Sequence, residues 1–192
     1  VRLVGKASST GTNDKALQNL QLLLDAGYQM SANRIANRDG KYCCVPLSAA
    51  ASIGCTRAVE MLLRAGALPN AAERDKHETP LPIAACSGHA DIIRALVAVG
   101  ADVHAKTISE CTPLRYAAGN VHLNAVEELL RSGADPNVSD RDETLLHSLV
   151  HYCGQDHGYG SDIRELTRVL DLLLAAGAKI NALGKYDRTP MQ

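Results

Sequence analysis

Phenylalanine and tryptophan are missing from this sequence of 192 residues, and aromatic side chains make up 3 % of it. A single compact globule of this size normally fills its centre with several such rings. A core of Leu, Ala, Ile and Val implies thin, closely spaced layers instead. Charge of one sign is lacking too: 20 basic residues meet 21 acidic ones, for a formal net charge of −1. That balance offers no field to a polyanion, so nucleic acid is not an expected partner. No apolar run reaches the roughly 18 residues of a membrane-spanning helix, and no secretory signal opens the chain. No membrane partner is therefore expected.

Disulfide and metal frameworks are also missing. The six cysteines (Cys43, Cys44, Cys55, Cys86, Cys111 and Cys153) form no Cys-x-x-Cys pair. Adjacent Cys43 and Cys44 cannot readily bridge each other. Scattered thiols fit a reducing compartment, so the expected location is cytoplasmic or otherwise intracellular. No Gly-x-Ser-x-Gly elbow occurs. Gly5-Lys6 runs into Ala7 without a preceding phosphate-binding loop. No catalytic residue and no cofactor is expected.

What is present is a repeat. Val45-Pro46-Leu47 leads to Leu62-Leu63-Arg64-Ala65-Gly66, Thr79-Pro80-Leu81 to Leu96-Val97-Ala98-Val99-Gly100, Thr112-Pro113-Leu114 to Leu129-Leu130-Arg131-Ser132-Gly133, and Thr144-Leu145-Leu146-His147 to Leu173-Leu174-Ala175-Ala176-Gly177. The prolines at 46, 80 and 113 stand 34 and 33 apart, and the glycines at 66, 100 and 133 keep the same steps. Thr before Pro predicts a helix start, since Pro at the first helical position loses no hydrogen bond. Ala49-Ala50-Ala51, Ala84-Ala85 and Ala117-Ala118 allow close helix contact. A second apolar helix then returns, and a Gly with positive φ ends it.

This pattern resembles the ankyrin repeat, a unit of about 33 residues with a Thr-Pro-Leu-His-x-Ala signature. The resemblance implies an all-α solenoid of paired antiparallel helices with projecting β-turns. The whole chain would be one such domain. It would hold a partial repeat over 1–37, repeats over about 38–72, 73–106, 107–139 and 140–183, and the start of another at 184–192. Beginning at Val1 and stopping just after Thr189-Pro190, the chain reads as part of a longer protein. There are departures from the pattern. The signature His survives as His147, while Ser48, Pro82 and Arg115 replace it elsewhere. The Gly of the helix–helix turn is kept as Gly54 and Gly88, but Val121 takes its place in the third repeat, which puts local regularity in question. The fourth repeat carries an insertion around residues 153–161: Leu145 to Gly177 spans 32 positions, against 20 from Pro80 to Gly100.

One group invites a metal reading: His147, His151, Cys153, Asp156 and His157. His147 and His151, four apart, would share a helix face, but the set fits no closed zinc motif, and no metal is expected. The resemblance places partner contacts on turn tips and on the exposed side of the first helices, which together line a concave surface. Mapped onto this sequence, the tip candidates are Tyr42, Lys76, His77, Ile108, Glu110, Arg141 and Asp142. The helix candidates are Ser52, Ile53, Cys86, Ser87, Asn120, His151 and Tyr152. Tyr42, Ile53 and Tyr152 are the larger anchors among them. The expected function is a scaffold or adaptor that binds another protein. The alternative is a specific inhibitor, of immunity or effector type, that blocks one enzyme.

Overall fold

The structure is a computed structural model. It describes residues 17–22, 35–36, 43–44, 46–72, 78–140, 143–153, 163–182 and 189–190. Residues 17–22 form helix α1. Strands β1 (Ile35–Ala36) and β2 (Cys43–Cys44) pair antiparallel, with Ile35 opposite Cys44. Helices then come in antiparallel pairs. α2 (Pro46–Ile53) precedes α3 (Thr56–Arg64), α4 (Pro80–Cys86) precedes α5 (Ala90–Ala98), and α6 (Pro113–Gly119) precedes α7 (Leu123–Arg131). After paired strands β3 (Ser139–Asp140) and β4 (Glu143–Thr144) come α8 (Leu145–Cys153) and α9 (Ile163–Ala175).

The first helices pack on one another in the order α2, α4, α6, α8, and the second in the order α3, α5, α7, α9. The chain thus forms two layers, called front and back below. It is an all-α stack, and among the described residues the strands are two-residue ladders. Each back helix drives one leucine between the layers: Leu62, Leu96, Leu129 and Leu173 are at most 3 % exposed. Ala51, Ala84, Ala85, Ala117 and Ala118 are fully buried where front helices meet. A larger side chain there would push the layers apart.

Helix starts follow the sequence rule unevenly. Thr112 Oγ1 accepts from the Arg115 amide at 3.3 Å. The Thr144 amide donates to His147 Nδ1 at 3.3 Å, so that nitrogen carries no proton. It therefore also accepts from the Thr144 hydroxyl, at 2.7 Å. Thr79 caps α4 geometrically, yet its buried Oγ1 has no partner among the described residues. The reason lies three residues on: Pro82 has neither an amide hydrogen nor a ring that reaches back. Ser48, at the signature position of α2, is orphaned in the same way.

Helix ends are regular. At each back helix an amide five residues on reaches back: Ala67 to Leu62 O, Ala101 to Leu96 O, Ala134 to Leu129 O and Ala178 to Leu173 O, at 2.9–3.0 Å. These are Schellman closures. Front helices α2, α4 and α6 close likewise, from Cys55 to Ala50 O, His89 to Ala84 O and His122 to Ala117 O, at 2.9–3.1 Å. The residues inside those turns are Gly54 at φ 82°, Gly88 at φ 75° and Val121 at φ 57°. The third turn therefore keeps its shape, and Val121 is held in a left-handed conformation that costs a β-branched residue about 1–3 kcal/mol.

Gly54 and Gly88 are needed for a further reason. A Cβ on Gly54 would lie 2.5 Å from the His89 ring, and one on Gly88 would lie 2.7 Å from the His122 ring. Each histidine lies over the glycine of the preceding repeat, and His122 Nε2 is 3.0 Å from Cys86 O. The end glycines of the back helices have no such neighbour: a Cβ on Gly133 would meet nothing within 4 Å.

Two stability predictions follow from these contacts. Gly133→Ala should cost about 1–2 kcal/mol for its φ alone. Gly88→Ala should cost about 1–2 kcal/mol more, for a displaced ring and a lost hydrogen bond. Equal urea midpoints for the two variants would refute the cradle. Thr144→Val should cost about 1 kcal/mol, whereas Thr79→Val should be neutral or stabilising, because its hydroxyl is already unsatisfied. A large loss for Thr79→Val would show that Thr79 has a partner.

Candidate protein-binding face

Helices α2, α4 and α6 each turn three positions away from the core, spaced i, i+3 and i+4 and hence on one side. On α2 they are Ala49, Ser52 and Ile53, all exposed. On α4 and its end they are half-buried Ile83, exposed Cys86 and half-buried Ser87. On α6 and its end they are half-buried Tyr116 and exposed Gly119 and Asn120. The packing order of the front helices sets these sets side by side. The Asn120 carboxamide donates to Tyr116 O at 2.9 Å and points at Cys86 Sγ, 3.7 Å away on the neighbouring helix. Ile53 is the most prominent apolar member, 76 % exposed.

The third repeat's tip is anchored to this face. The Thr107 amide donates to Cys111 O at 3.1 Å and the Glu110 amide to Thr107 O at 2.8 Å, closing a turn in which Glu110 sits at φ 60°. The Tyr116 hydroxyl lies 3.3 Å from Thr107 Oγ1 and ties that turn to α6. Burial pushes the Tyr116 hydroxyl pKa above its ordinary value. Ile108 projects from the tip, 61 % exposed. The Glu110 carboxylate is engaged by Lys106 at 3.2 Å. Between α6 and α8 runs a groove of about 240 Å³, lined by Tyr116, Gly119, Asn120, Leu145, Ser148 and Leu149. The Arg115 guanidinium crosses it to donate to Ser148 Oγ at 2.5 Å.

Of the candidates named from sequence, Ser52, Ile53, Cys86, Ser87 and Asn120 fall on the front layer, and Ile108 and Glu110 on the tip beside it. His151 and Tyr152 belong to α8, but their side chains lie outside the described residues. Tyr42, Lys76, His77, Arg141 and Asp142 lie outside them altogether, as does the rest of the insertion beyond Cys153. The sequence reading omits Ile83 and Tyr116. The signal was available, since they stand three and four residues before positions that it did select. His147 is engaged with Thr144, and among the described residues no group of three or more His, Cys, Asp or Glu side chains could hold a metal ion.

The back layer has a different surface. Its charges pair along and between helices: Arg64 with Glu60 at 3.7 Å, Arg131 with Glu127 at 2.7 Å, and Arg94 with Asp91 at 3.2 Å and Glu128 at 2.8 Å. The Arg94–Glu128 pair joins α5 to α7. The hydrogen bond from Arg94 holds the Glu128 carboxyl below its usual range. Arg164, Glu165 and Arg168 are exposed on α9, as expected of a solvated helix face.

A family model described as ankyrin repeats (three copies) matches residues 7–107 and again 47–140. The chain belongs to the ankyrin repeat family. Ankyrin repeats generally mediate protein–protein interaction, and the family is generally non-enzymatic. The chain is 35 % identical over 139 residues to the human ankyrin repeat and SOCS box protein 6, which covers 70 % of this chain and 31 % of that protein. It is 43 % identical over 110 residues to the Drosophila melanogaster ARF GTPase-activating protein Git, covering 54 % of this chain and 15 % of that one. It is 38 % identical over 101 residues to alpha-latrocrustotoxin-Lt1a of Latrodectus tredecimguttatus, covering 52 % and 7 %. The chain thus spans less than a third of each of these relatives. Among the described residues no helix is long and apolar enough to cross a membrane.

The depressed Glu128 carboxyl gives a pH prediction. A carboxyl with a lowered folded-state pKa stabilises the fold above its unfolded pKa, and that contribution disappears as pH falls through the folded value. Glu128→Gln should therefore lower the thermal midpoint at neutral pH and flatten its decline on acidification. Parallel acid profiles for the variant and the parent would show that the pair contributes nothing to the fold.

Proposed function

We propose that this ankyrin repeat chain is a scaffold or adaptor that binds another protein across the front layer and the adjoining turn tips, the side that the family resemblance makes concave. One observation carries the reading. A framework that repeats down to its closing hydrogen bonds presents, at matching positions, side chains as different as Ser52, Cys86 and Gly119, or Ile53, Ser87 and Asn120. A rigid frame loses little order on binding, so varied side chains on it suit recognition. The printed names of the relatives support the same view. A SOCS box protein, a GTPase-activating protein and a toxin share the repeat without a common activity in their names. Tyr42 and Tyr152 remain further anchors of this reading.

Ile53 and Ile108 are exposed, so Ile53→Asp and Ile108→Asp should leave the fold intact. Cross-linking mass spectrometry of the parent protein in native lysate identifies the partner, and titration with the variants measures the site. The expected result is cross-links to the front layer and a loss of affinity of about tenfold or more for Ile53→Asp. An unchanged affinity in both variants, with a loss in Arg168→Ala on the back layer, would overturn the reading. A partner enzyme whose activity falls on binding would favour the inhibitor form of the same function.

A further inference from the structure

Formal charge is partitioned between the two layers. Arg115 is the one Lys, Arg, Asp or Glu in the four front helices, and its guanidinium donates to Ser148. Each of the four back helices holds at least two such residues. The outward positions of the front layer, exposed or half-buried, offer aliphatic carbon (Ala49, Ile53, Ile83), a thiol (Cys86), a phenol ring (Tyr116) and small neutral polar groups. The groove between α6 and α8 continues this surface with Leu145 and Leu149 in its wall. At the described tip of the third repeat, Lys106 and Glu110 pair with each other at 3.2 Å.

We propose that the occupant of this face is an uncharged, apolar segment of a partner protein. The inference deepens the proposed function and rests on its choice of surface. The argument is one of electrostatic match. A charged segment laid across these helices would lose water and meet one formal charge, Arg115, already hydrogen-bonded to Ser148; any other ion would be buried unpaired. A neutral apolar segment loses little solvation and gains contact with Ile53, Ile83 and Tyr116. Asn120 and the serines supply hydrogen bonds that set its register. The back layer is the unsuitable partner for such a segment: its groove of about 410 Å³ is lined by Asp91, Arg94, Glu127, Glu128 and Arg131, already paired with one another.

The probe is a random peptide library of about twelve residues displayed on phage and panned on the intact chain, a length that spans several repeats when extended. The enriched peptides should carry net charge near zero and be rich in apolar residues. Their affinity should change less than about twofold between about 50 and about 500 mM salt, since no ion pair is there to be screened. Ser52 is exposed, so Ser52→Asp and Ser52→Lys test the sign of the field without disturbing the core. Both should weaken binding, by about three- to tenfold, because either charge is buried unpaired.

A pool enriched in Asp and Glu or in Lys and Arg would overturn the inference, as would an empty pool. Opposite responses of the two Ser52 variants would do the same while leaving the front-layer reading standing. Peptides indifferent to both Ser52 variants and to Ile53→Asp would overturn the inference and the surface together. A chain that elutes as a dimer, dissociated by Ile53→Asp, would overturn it in favour of a second copy as occupant.

Discussion

Every helix pair in this chain can bury its apolar side only against the pair before it and the pair after it. Leu62, Leu96, Leu129 and Leu173 show the constraint: each is buried by neighbours in sequence, and no common centre exists for them to share. Such a stack has no need of large aromatic rings, which explains a fully packed interior without Phe or Trp. It also sets the step between pairs. Alanines at the front-layer contacts keep that step short, and Schellman closures hold both helix ends to it.

Because stability is local, the joints between pairs can be made differently. Asn70 joins the first pair to the second, donating to Gly100 O at 2.9 Å and accepting from the Asp102 amide at 2.8 Å. Asn137 joins the third pair to the fourth in the same way, through Gly177 O at 3.0 Å and the Lys179 amide at 2.8 Å. Between the second and third pairs the corresponding residue is His104, and among the described residues its ring makes no such double bond. There the joint is the Arg94–Glu128 ion pair between back helices, together with the His122 ring seated over Gly88. The carboxamide clasps respond to neither salt nor pH. The ion pair responds to both.

Much of the fold was legible because it is written several times over. The Thr-Pro-Leu starts, the alanine pairs and the closing glycines each have a local cause, and each recurs at the step of the stack. What was less legible depended on contacts between repeats. Val121 looked like a break in the pattern. The amide of His122 reaches Ala117 O all the same and holds Val121 at the glycine-like φ. Thr79 looked like a capping residue equal to Thr112, but a cap needs a donor as well as a place, and Pro82 removes the donor. The front-layer candidates were legible from helical spacing. Ile83 and Tyr116 were legible from the same spacing; the tie of Tyr116 to Thr107, nine residues earlier across the turn, was not.

The partition of charge follows from the same architecture. Back helices need polar side chains to stay in water, and i,i+4 pairing lets them carry charge at little cost: Glu60 with Arg64 and Glu127 with Arg131 are such pairs. Front helices are short, seven to nine residues, and begin with Pro-Leu or Leu-Leu, which leaves each only a few outward positions. Neutral residues at those positions keep front helices close together without like charges repelling across a narrow step. The property that lets the front layer pack tightly therefore also fixes the chemistry it can present. On the proposed reading, a surface so constrained would discriminate by shape and desolvation, because it has little charge with which to attract or repel.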